Sequence, residues 1–328
     1  MKKTSGSILL TILLLSVAIP QPTLSEQCVT QNGATMCVFH SAESQGIPSG
    51  INVAGKANQS LISPQSMSLY AAQHAEGTGW RTELKFVNRV GTQTMVQYFV
   101  KDHNGNPIST TVALFDGTVI GTGSAGIVSL LPHQGTTLYL TASVGLQTGW
   151  ISFTTTSSQL DGFSDMGIQE SFINLDGNGN VISAVSVPVE ALNSDYLGPA
   201  MIMKRLADHV LCPQDVCVDV GFAVANVRGE NSPPSFTAHV QIQLWSGSTT
   251  SPVPIATTTL TLTSGQQQSL FLSQLVPNLP VDQLGNPLSD GSIRILSDQP
   301  ISLMLLRMDV SSSGDERYSD LVAFTTKN

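Results

Sequence analysis

The second half of the chain repeats the first half as an ordered series of short β-like segments. Five segments have counterparts at offsets between 132 and 144 residues. The pairs are Lys85–Asn88 with Ala223–Asn226, Val96–Val100 with Val240–Leu244, Leu138–Leu140 with Leu270–Leu272, Gly149–Phe153 with Gly291–Ile295, and Val185–Glu190 with Leu321–Thr326. Unrelated sandwich domains also share short alternating strands, but here the order is kept throughout. The pattern favours a duplicated β module and argues against most classes of enzyme.

Both halves consist of short alternating runs separated by turn residues. Glu83–Asn88 places Leu84 and Phe86 on one face, and Thr257–Thr263 is close to an ideal half-buried strand. Strand signals about eight to twelve residues apart, without a long amphipathic helix, are typical of a sandwich or barrel. Two of the expected strands are Ser292–Leu296 and Ile301–Met308, and Leu272–Pro280 is expected to hold one short helical turn.

The sequence therefore predicts an all-β chain, with two tandem antiparallel β-sandwich domains preceded by a small disulfide hairpin. A break between the modules is expected near Asn193 to Pro199. The predicted ranges are 1–25 for a signal peptide, 26–63 for the Cys hairpin and a Ser/Gly/Asn-rich linker, 64–192 for module 1, and 200–328 for module 2.

The first 25 residues have the pattern of a secretory signal peptide. Lys2 and Lys3 give a positive start, Ile8–Ile19 an apolar stretch, and Thr23–Ser25 a small-residue cleavage site. No apolar run approaches the roughly 20 residues that cross a bilayer as a helix. We expect a secreted protein, whether extracellular, at the cell surface or periplasmic, with no transmembrane segment.

The mature chain is expected to be acidic and poor in charge. Without Lys2 and Lys3 it has 12 basic and 23 acidic residues, a formal net charge of −11. Nucleic acid is a poor partner for such a surface. Charged residues make up 11% of the sequence, less than half of the usual share of about 25%. Thr, Ser, Gln and Gly supply the polar surface instead, as is common in secreted β proteins.

The four cysteines form two close pairs. Asn32-Gly33 is a favoured two-residue hairpin turn, and counting outward from it places Cys28 opposite Cys37 at a non-hydrogen-bonded site. The Cα atoms at such a site lie about 4.5 Å apart, within disulfide range. Cys212 and Cys217 could close a small loop at the start of module 2. An exported chain favours two disulfides over zinc, because no second ligand pair has finger-like spacing.

Intact-mass analysis of the non-reduced protein tests both bridges. We expect a mass lower by four hydrogen atoms than that of the reduced chain, and no reaction with a thiol reagent after denaturation. Four reactive thiols would contradict the prediction.

Several motifs resemble those of a family of secreted bacterial proteins of unassigned function. The first module has Gly79-Trp80, Phe86–Asn88, the turn Asn104–Pro107 and Leu146–Trp150; the second has Ala223–Asn226, Ala256–Leu262 and Leu275–Pro280. The resemblance covers roughly residues 66 to 327. It implies tandem immunoglobulin-like or fibronectin-like sandwiches, and its motifs carry no catalytic residues.

Candidate catalytic and metal-binding residues are weakly supported by their spacing. His74 and Glu76, expected just before the first strand, could bind a metal with His133, but no His-x3-His pair is present. His103 is expected to be an exposed turn residue. Thr122–Gly126 lacks the first Gly of a nucleophile elbow. No catalytic residue, metal or cofactor is predicted.

Two Asn-rich segments place side-chain oxygens at alternate positions, as a calcium loop requires. They are Asp176–Asn180 and Asp102–Asn106. A calcium loop that began at Asp176 would need Gly at its sixth position and Glu at its twelfth, where this chain has Val181 and Val187. Gly/Asn-rich β-turns are the favoured interpretation.

Trp80 and Trp150 are the candidate ligand-binding residues. Each follows Thr-Gly. Exposed aromatic rings stack on sugars, whereas a Trp at a strand start can also fill the core. The sequence does not distinguish a sugar-binding role from a core-filling role for Trp80 and Trp150.

The predicted function is that of a secreted, non-enzymatic bacterial protein, an extracellular adhesion, structural or binding module. A carbohydrate-binding sandwich and an accessory module of a larger exported enzyme system are the alternatives. The expected partners are polysaccharides or proteins of the cell surface or matrix.

Overall fold

The protein is built almost entirely from antiparallel β-strands. The computed structural model describes residues 27–31, 34–39, 67–143, 145–155, 166–204, 216–227, 236–247, 253–281, 285–311 and 314–325. One helix of four residues is present in these ranges. The predicted fold class is confirmed: two antiparallel β-sandwich modules follow a disulfide hairpin. The predicted signal peptide and the predicted linker segment 40–63 lie outside the described residues.

The N-terminal hairpin has the register that its turn predicts. It consists of β1 (Gln27–Gln31) and β2 (Ala34–Phe39), with Cys28 opposite Cys37. These two cysteines form a disulfide with their Cα atoms 4.1 Å apart, which confirms that bridge. The inward side chains of β2, those of Ala34, Met36 and Val38, are buried in the core of module 1. The hairpin is therefore an integral part of that module.

Module 1 is a sandwich of two six-stranded sheets. One sheet has the order β1-β2-β8-β5-β10-β3 and the other β12-β11-β4-β9-β6-β7. Alternation on each strand puts every second side chain between the sheets, and Phe86, Tyr98 and Phe153 meet there with ring centroids 6.2 to 6.5 Å apart. The strands are β3 (Met67–Glu76), β4 (Trp80–Asn88), β5 (Thr94–Asp102), β6 (Thr110–Leu114), β7 (Val119–Gly123), β8 (Ala125–Leu130), β9 (Gly135–Thr141), β10 (Gln147–Thr155), β11 (Met166–Leu175) and β12 (Val181–Val187).

Module 2 folds one continuous sheet into two layers around a single long strand. The order is β16-β15-β18-β13-β14-β17, with β19 added to β18 and β20 to β13. The first half of β18 pairs with β13 and β15, and its second half pairs with β14 and β19. The elements are β13 (Asn193–Met203), β14 (Val218–Ala225), β15 (Ala238–Ser246), β16 (Ala256–Leu262), β17 (Gln267–Phe271), α1 (Leu272–Leu275), β18 (Leu288–Val310), β19 (Glu316–Leu321) and β20 (Phe324–Thr325).

Two sequence predictions about module 2 are corrected. Ser292–Leu296 and Ile301–Met308 are parts of β18, not separate strands. The segment Asn193–Pro199, where a break was expected, belongs to β13. Its turn-type residues are accommodated because β13 pairs irregularly near Asn193 and near Ala200. The expected helical turn is confirmed as α1.

The two modules pair their strands in the same order. β8-β5-β10-β3 in module 1 matches β16-β15-β18-β13 in module 2, and β12-β11-β4-β9 matches β19-β18-β14-β17. An immunoglobulin constant domain places its first strand beside the second and its last beside the sixth. Here β3 pairs with β10 and β11 pairs with β4. The order differs from the immunoglobulin arrangement that the resemblance implied.

One buried asparagine occupies the same position in each module. The Asn88 side chain donates from Nδ2 to the carbonyl of Leu130 at 3.1 Å, and the Asn226 side chain donates to that of Leu262 at 3.0 Å. The backbone N–H of Asn88 donates to Gln134 O, and that of Asn226 to Gln266 O. Each asparagine thereby ties the end of β4 or β14 to the opposite sheet.

The modules meet at a junction that β3 forms with β14 and β18. Tyr70 and Trp150 of module 1 pack with Ala225 and Val227 in one buried cluster. The Trp150 indole donates from Nε1 to the carbonyl of Gly265 at 2.8 Å. Apolar contact and directional bonding therefore both connect the two modules.

Buried glutamines reinforce the junction. The Gln73 side chain accepts at Oε1 from Gln267 Nε2 at 2.5 Å and from Ser269 Oγ at 2.6 Å. Gln73 and Gln267 are both buried. Because an unpaired buried amide costs free energy, this network favours one relative orientation of the modules.

Two glycines allow the closest approach at the junction. Gly105 and Gly265 both have positive φ, and a Cβ added to Gly105 would come within 2.9 Å of the Gly265 backbone. The turn that contains Gly105 also brings the His103 carbonyl to the Gln267 N–H at 2.8 Å. The backbones themselves are in contact here.

Replacement of Gly105 should therefore loosen the junction. Gly117→Ala is a matched control, because Gly117 also has positive φ but its added Cβ would meet nothing within 4 Å. We expect Gly117→Ala to cost about 1 kcal/mol from φ strain alone. Gly105→Ala should cost about 1–3 kcal/mol more through overpacking. Thermal unfolding measures the cost. Equal destabilisation by both substitutions would contradict the assigned contact.

Candidate functional site

The two predicted ligand-binding tryptophans lie in different environments. Trp150 is 4% exposed and its indole is used by the module junction, so it does not form a surface platform. Trp80 is half-buried at the start of β4 and lines a cleft between the modules. The cleft around Trp80 is therefore the candidate binding site.

The cleft has a volume of about 430 Å³ and is largely apolar. A volume of this size lies within the range of small-molecule sites. β3, β4, β10 and β11 of module 1 form one wall, while β14, β17, β18 and β19 of module 2 form the other. The main aromatic and apolar lining residues are Trp80, Phe172, Phe271, Tyr318, Leu146, Leu270 and Leu306, and the polar ones are Gln73, Thr148, Asn174, Ser269 and Glu316.

An aromatic cluster shapes this cleft. The Trp80 ring lies 5.6 Å from that of Phe172 and 5.7 Å from that of Tyr318, measured between centroids. The Tyr318 hydroxyl donates to a Glu316 carboxylate oxygen. Burial first, and then the hydrogen bond and charge of Glu316, raise the pKa of Tyr318, so it stays a neutral donor. The site thus combines ring surfaces with fixed amide, hydroxyl and carboxylate groups.

A second cavity, of about 490 Å³, lies on the outer face of module 1 beside the hairpin. Lys85, Phe115, Asp116 and Gln31 are among its lining residues. The Gln31 side chain donates to Asp116 at 3.0 Å, and the Phe115 ring is 75% exposed. Nearby, Arg81 lies 4.2 Å above the Tyr139 ring. Among the described residues that line this cavity, Phe86 and Phe115 are aromatic, and the Phe115 ring lies 6.2 Å from that of Tyr139 between centroids.

Two carboxyl groups and one imidazole are buried inside module 1. His74, Glu76 and Glu170 each have 0% exposure. His74 Nδ1 lies 3.6 Å from Glu76 Oε1, and Thr110 donates to the other Glu76 oxygen. Neither oxygen of Glu170 has a hydrogen-bond partner among the residues that the structure describes. All three side chains are shielded from solvent, and none lines either cavity.

Burial controls the protonation of this cluster. It lowers the pKa of His74 to about 4, although hydrogen bonding to the Lys101 carbonyl acts in the opposite direction. It raises the pKa of Glu76 to about 7, against the effect of the Thr110 hydrogen bond. Burial, and then the nearby Glu76, raise the pKa of Glu170 well above its ordinary value. At neutral pH, His74 is uncharged, and burial favours the protonated form of Glu170.

The sequence placed His74 and Glu76 outside the strands, whereas both lie on β3 and face the core. His133 lies in an exposed turn with φ of 60°. Within the described ranges, no group of three His, Cys, Asp or Glu side chains could hold a metal ion. The alternation of side chains along β3 could have indicated that His74 and Glu76 are buried. Because both residues are polar, the strand pattern was not recognised there.

Both Asn-rich segments form the same turn. Asp102 Oδ1 accepts from the N–H groups of Asn104 and Asn106 at 2.8 Å each, and Asp176 does the same with Asn178 and Asn180. The second oxygen of each aspartate accepts from the side-chain amide of the last asparagine. These bonds use the carboxylates as turn acceptors, in agreement with the β-turn interpretation.

Of the second cysteine pair, Cys217 is disulfide-bonded and buried, while Cys212 lies outside the described residues. The helix search over the described segments finds none that is long and apolar enough to cross a membrane.

Comparison with known proteins yields no relative. No family model matches the chain, and neither a curated protein nor a solved structure matches it. The structure agrees with the resemblance in its fold class: the chain is all-β, with several antiparallel sheets that are compatible with a β-sandwich.

The buried carboxyl cluster predicts a pH-dependent stability. Folding raises the pKa of such an acid, so its contribution to the free energy of unfolding is fully present below the pKa of the unfolded chain, near 4.5. Above that pH the contribution falls by about 1.4 kcal/mol per pH unit. Folding lowers the pKa of His74, so between about pH 4 and pH 6.5 its contribution to stability rises with pH and partly offsets this fall. The net loss should be clearest above pH 6.5, where His74 no longer contributes the opposing change.

Glu170→Gln removes the ionisable proton at nearly constant volume. We expect the variant to match the wild type at pH 5 and to be more stable at pH 9, measured by chemical denaturation. Asp320→Asn, at an exposed carboxyl of β19, is the control and should leave the pH profile unchanged. A Glu170→Gln profile parallel to that of the wild type would sink the assignment.

Proposed function

We propose that the chain is a secreted, non-catalytic bacterial binding module whose ligand site is the cleft around Trp80. The observation that carries this proposal is the aromatic cleft held between two modules by a bonded junction. Adhesion or a structural role at the cell surface is the biological setting that the low charge and the predicted signal peptide favour. The cluster of His74, Glu76 and Glu170 is closed to solvent, which also favours binding over catalysis at that position.

The junction supports a preformed site. Gln73 and Ser269 both line the cleft and bond to each other, and Gln73 also bonds to Gln267. The Trp150–Gly265 bond joins the modules at the same junction. Because these contacts fix the two walls before any ligand arrives, less conformational freedom is lost on binding. A ligand between the modules would also bridge them.

A carbohydrate is the ligand class that the cleft favours. The C–H face of a sugar ring stacks on an aromatic ring, and its hydroxyls bond to amides and carboxylates. Trp80 and Tyr318 supply ring surface, while Asn174 and Glu316 supply polar groups at the same cleft. Cell-surface or matrix polysaccharide is therefore the first partner to test, and a surface protein is the second. An accessory role beside an exported enzyme is compatible with the same site.

We also propose that the modules arose by duplication. The matching strand order, and the equivalent bonds of Asn88 and Asn226, support it together with the ordered sequence repeat. The two tryptophans are not repeated in module 2: Trp80 of the cleft and Trp150 of the junction both belong to module 1, and the residue aligned with Trp150 is Ser292. Module 1 would then carry most of the recognition, and module 2 would complete the second wall.

Binding of the mature protein to isolated cell-envelope fractions and to a glycan array tests this proposal. We expect Trp80→Ala to weaken binding by about tenfold or more, equivalent to about 1.4 kcal/mol, because the ring forms one wall of the cleft. Trp245→Ala is the matched control, since Trp245 lies on β15 outside the cleft. Binding that survives Trp80→Ala would reject this site, and reproducible turnover in hydrolase assays would reject the non-catalytic role.

A further inference from the structure

The open edge of β16 distinguishes module 2 from module 1. Within the described part of the chain, β16 ends the sheet and pairs only with β15. The corresponding strand of module 1, β8, pairs on one side with β5 and on the other with β2 of the hairpin. Leu262 lies opposite the first residue of β15, as Leu130 lies opposite the first residue of β5. Module 1 therefore has the additional strand β2 at the position where module 2 has an open sheet edge.

The unused backbone groups of β16 can be identified. The His239 N–H donates to Asp298 of β18 at 2.8 Å, so the backbone of His239 points toward β18 and away from β16. Thr261 lies opposite His239 in the β15–β16 ladder. Because antiparallel partners alternate in direction, the N–H and C=O groups of Thr257, Thr259 and Thr261 point outward from the sheet.

The equivalent groups in module 1 face the hairpin. The Val100 N–H donates to Ser124 O toward β8, which sets the same alternation, so Ile127 and Ser129 face away from β5. They lie opposite Cys37 and Thr35 of β2. With β2 in position, the inward residues of β8 are completely buried, whereas Ala256 and Leu260 of β16 are only partly buried. Within the described part of the chain, the outer edge of β16 has neither the bonds nor the cover that β2 gives β8, although Leu262 at the end of the strand is fully buried.

β16 also lacks the usual protection of an exposed edge. Natural edge strands carry charged residues, proline or bulges that block pairing with another chain. Ala256–Leu262 contains no charge and no proline, and four of its seven residues are threonines. Just before it, Val253 is 63% exposed and Ile255 is 37% exposed. Such a strand is suited to the addition of another strand.

We propose that β16 pairs antiparallel with β16 of a second copy of this chain, which gives a twofold dimer with one sheet running through both copies. The register that centres on Thr259 sets Thr259 opposite its own counterpart and Thr257 opposite Thr261. All outward backbone groups then pair, and the outer face carries only Thr–Thr pairs, a favourable cross-strand combination. A strand that complements itself in this way forms a closed, isologous interface.

The hairpin of another copy is the less favoured occupant. Each hairpin already lies on its own β8, with Met36 and Val38 in the core, and its removal would expose those side chains. Hairpin exchange would also link copies head to tail into open chains rather than pairs. The dimer proposal concerns a surface apart from the Trp80 cleft and does not rest on the proposed ligand.

Light scattering over a concentration series, on the full mature chain, tests the dimer. We expect a mass of two copies for the wild type and of one copy for Thr259→Pro, because proline removes an outward N–H without removing a bond to β15. Thr259→Val keeps that N–H and is the matched control, which should remain dimeric. Circular dichroism checks that each variant is folded.

Charge substitutions give a second test that does not depend on the proline variant. Thr259→Lys and Thr259→Glu should each be monomeric alone, because like charges would lie opposite each other. A mixture of the two should restore a mass of two copies. A wild type that stays monomeric up to millimolar concentration, a dimer unaffected by Thr259→Pro, or a polydisperse series of larger species would each overturn the symmetric dimer.

Discussion

The direct contact of β3 with the second module is the constraint on which the rest of the structure depends. One face of β3 directs Glu76 and His74 into the core of module 1, and the other directs Gln73 to the junction. Neither face of β3 is exposed to water here, so a sheet surface that would ordinarily face solvent is buried between the two modules. The cores merge accordingly: Ala223 and Met304 of module 2 belong to the buried cluster of module 1. The inter-module cleft lies beside this contact: Gln73 and Ala75 of β3 line it, and Trp80 and Tyr318 lie against each other there.

The buried acids illustrate how such a layer restricts chemistry. A carboxyl group held away from water stays protonated well above its ordinary range, as Glu170 does. In an open pocket that property would suit an acid catalyst. Here the surrounding strands close it off, so its main consequence is for folding stability rather than for a substrate.

Local chemistry explains which parts of the fold could be predicted from sequence. The Asn-Gly turn determined the pairing of Cys28 with Cys37, because register follows by counting from the turn. The Asn-rich turns were also predicted, since each Asp bonds its own neighbouring backbone. The burial of Trp150 depended on a partner more than one hundred residues away, and no local pattern separates a junction tryptophan from an exposed one. β13 was missed for a related reason: Gly198 and Pro199 resemble a linker, and only pairing with β18 makes them part of a strand.

The continuity of β18 has a mechanical consequence for module 2. A sandwich usually connects its layers through loops that can open independently, whereas here one uninterrupted strand is hydrogen-bonded into both. A force that peels one layer would be transmitted along the same backbone to the other. Partial unfolding of module 2 is thereby discouraged, and its two layers should unfold together under tension.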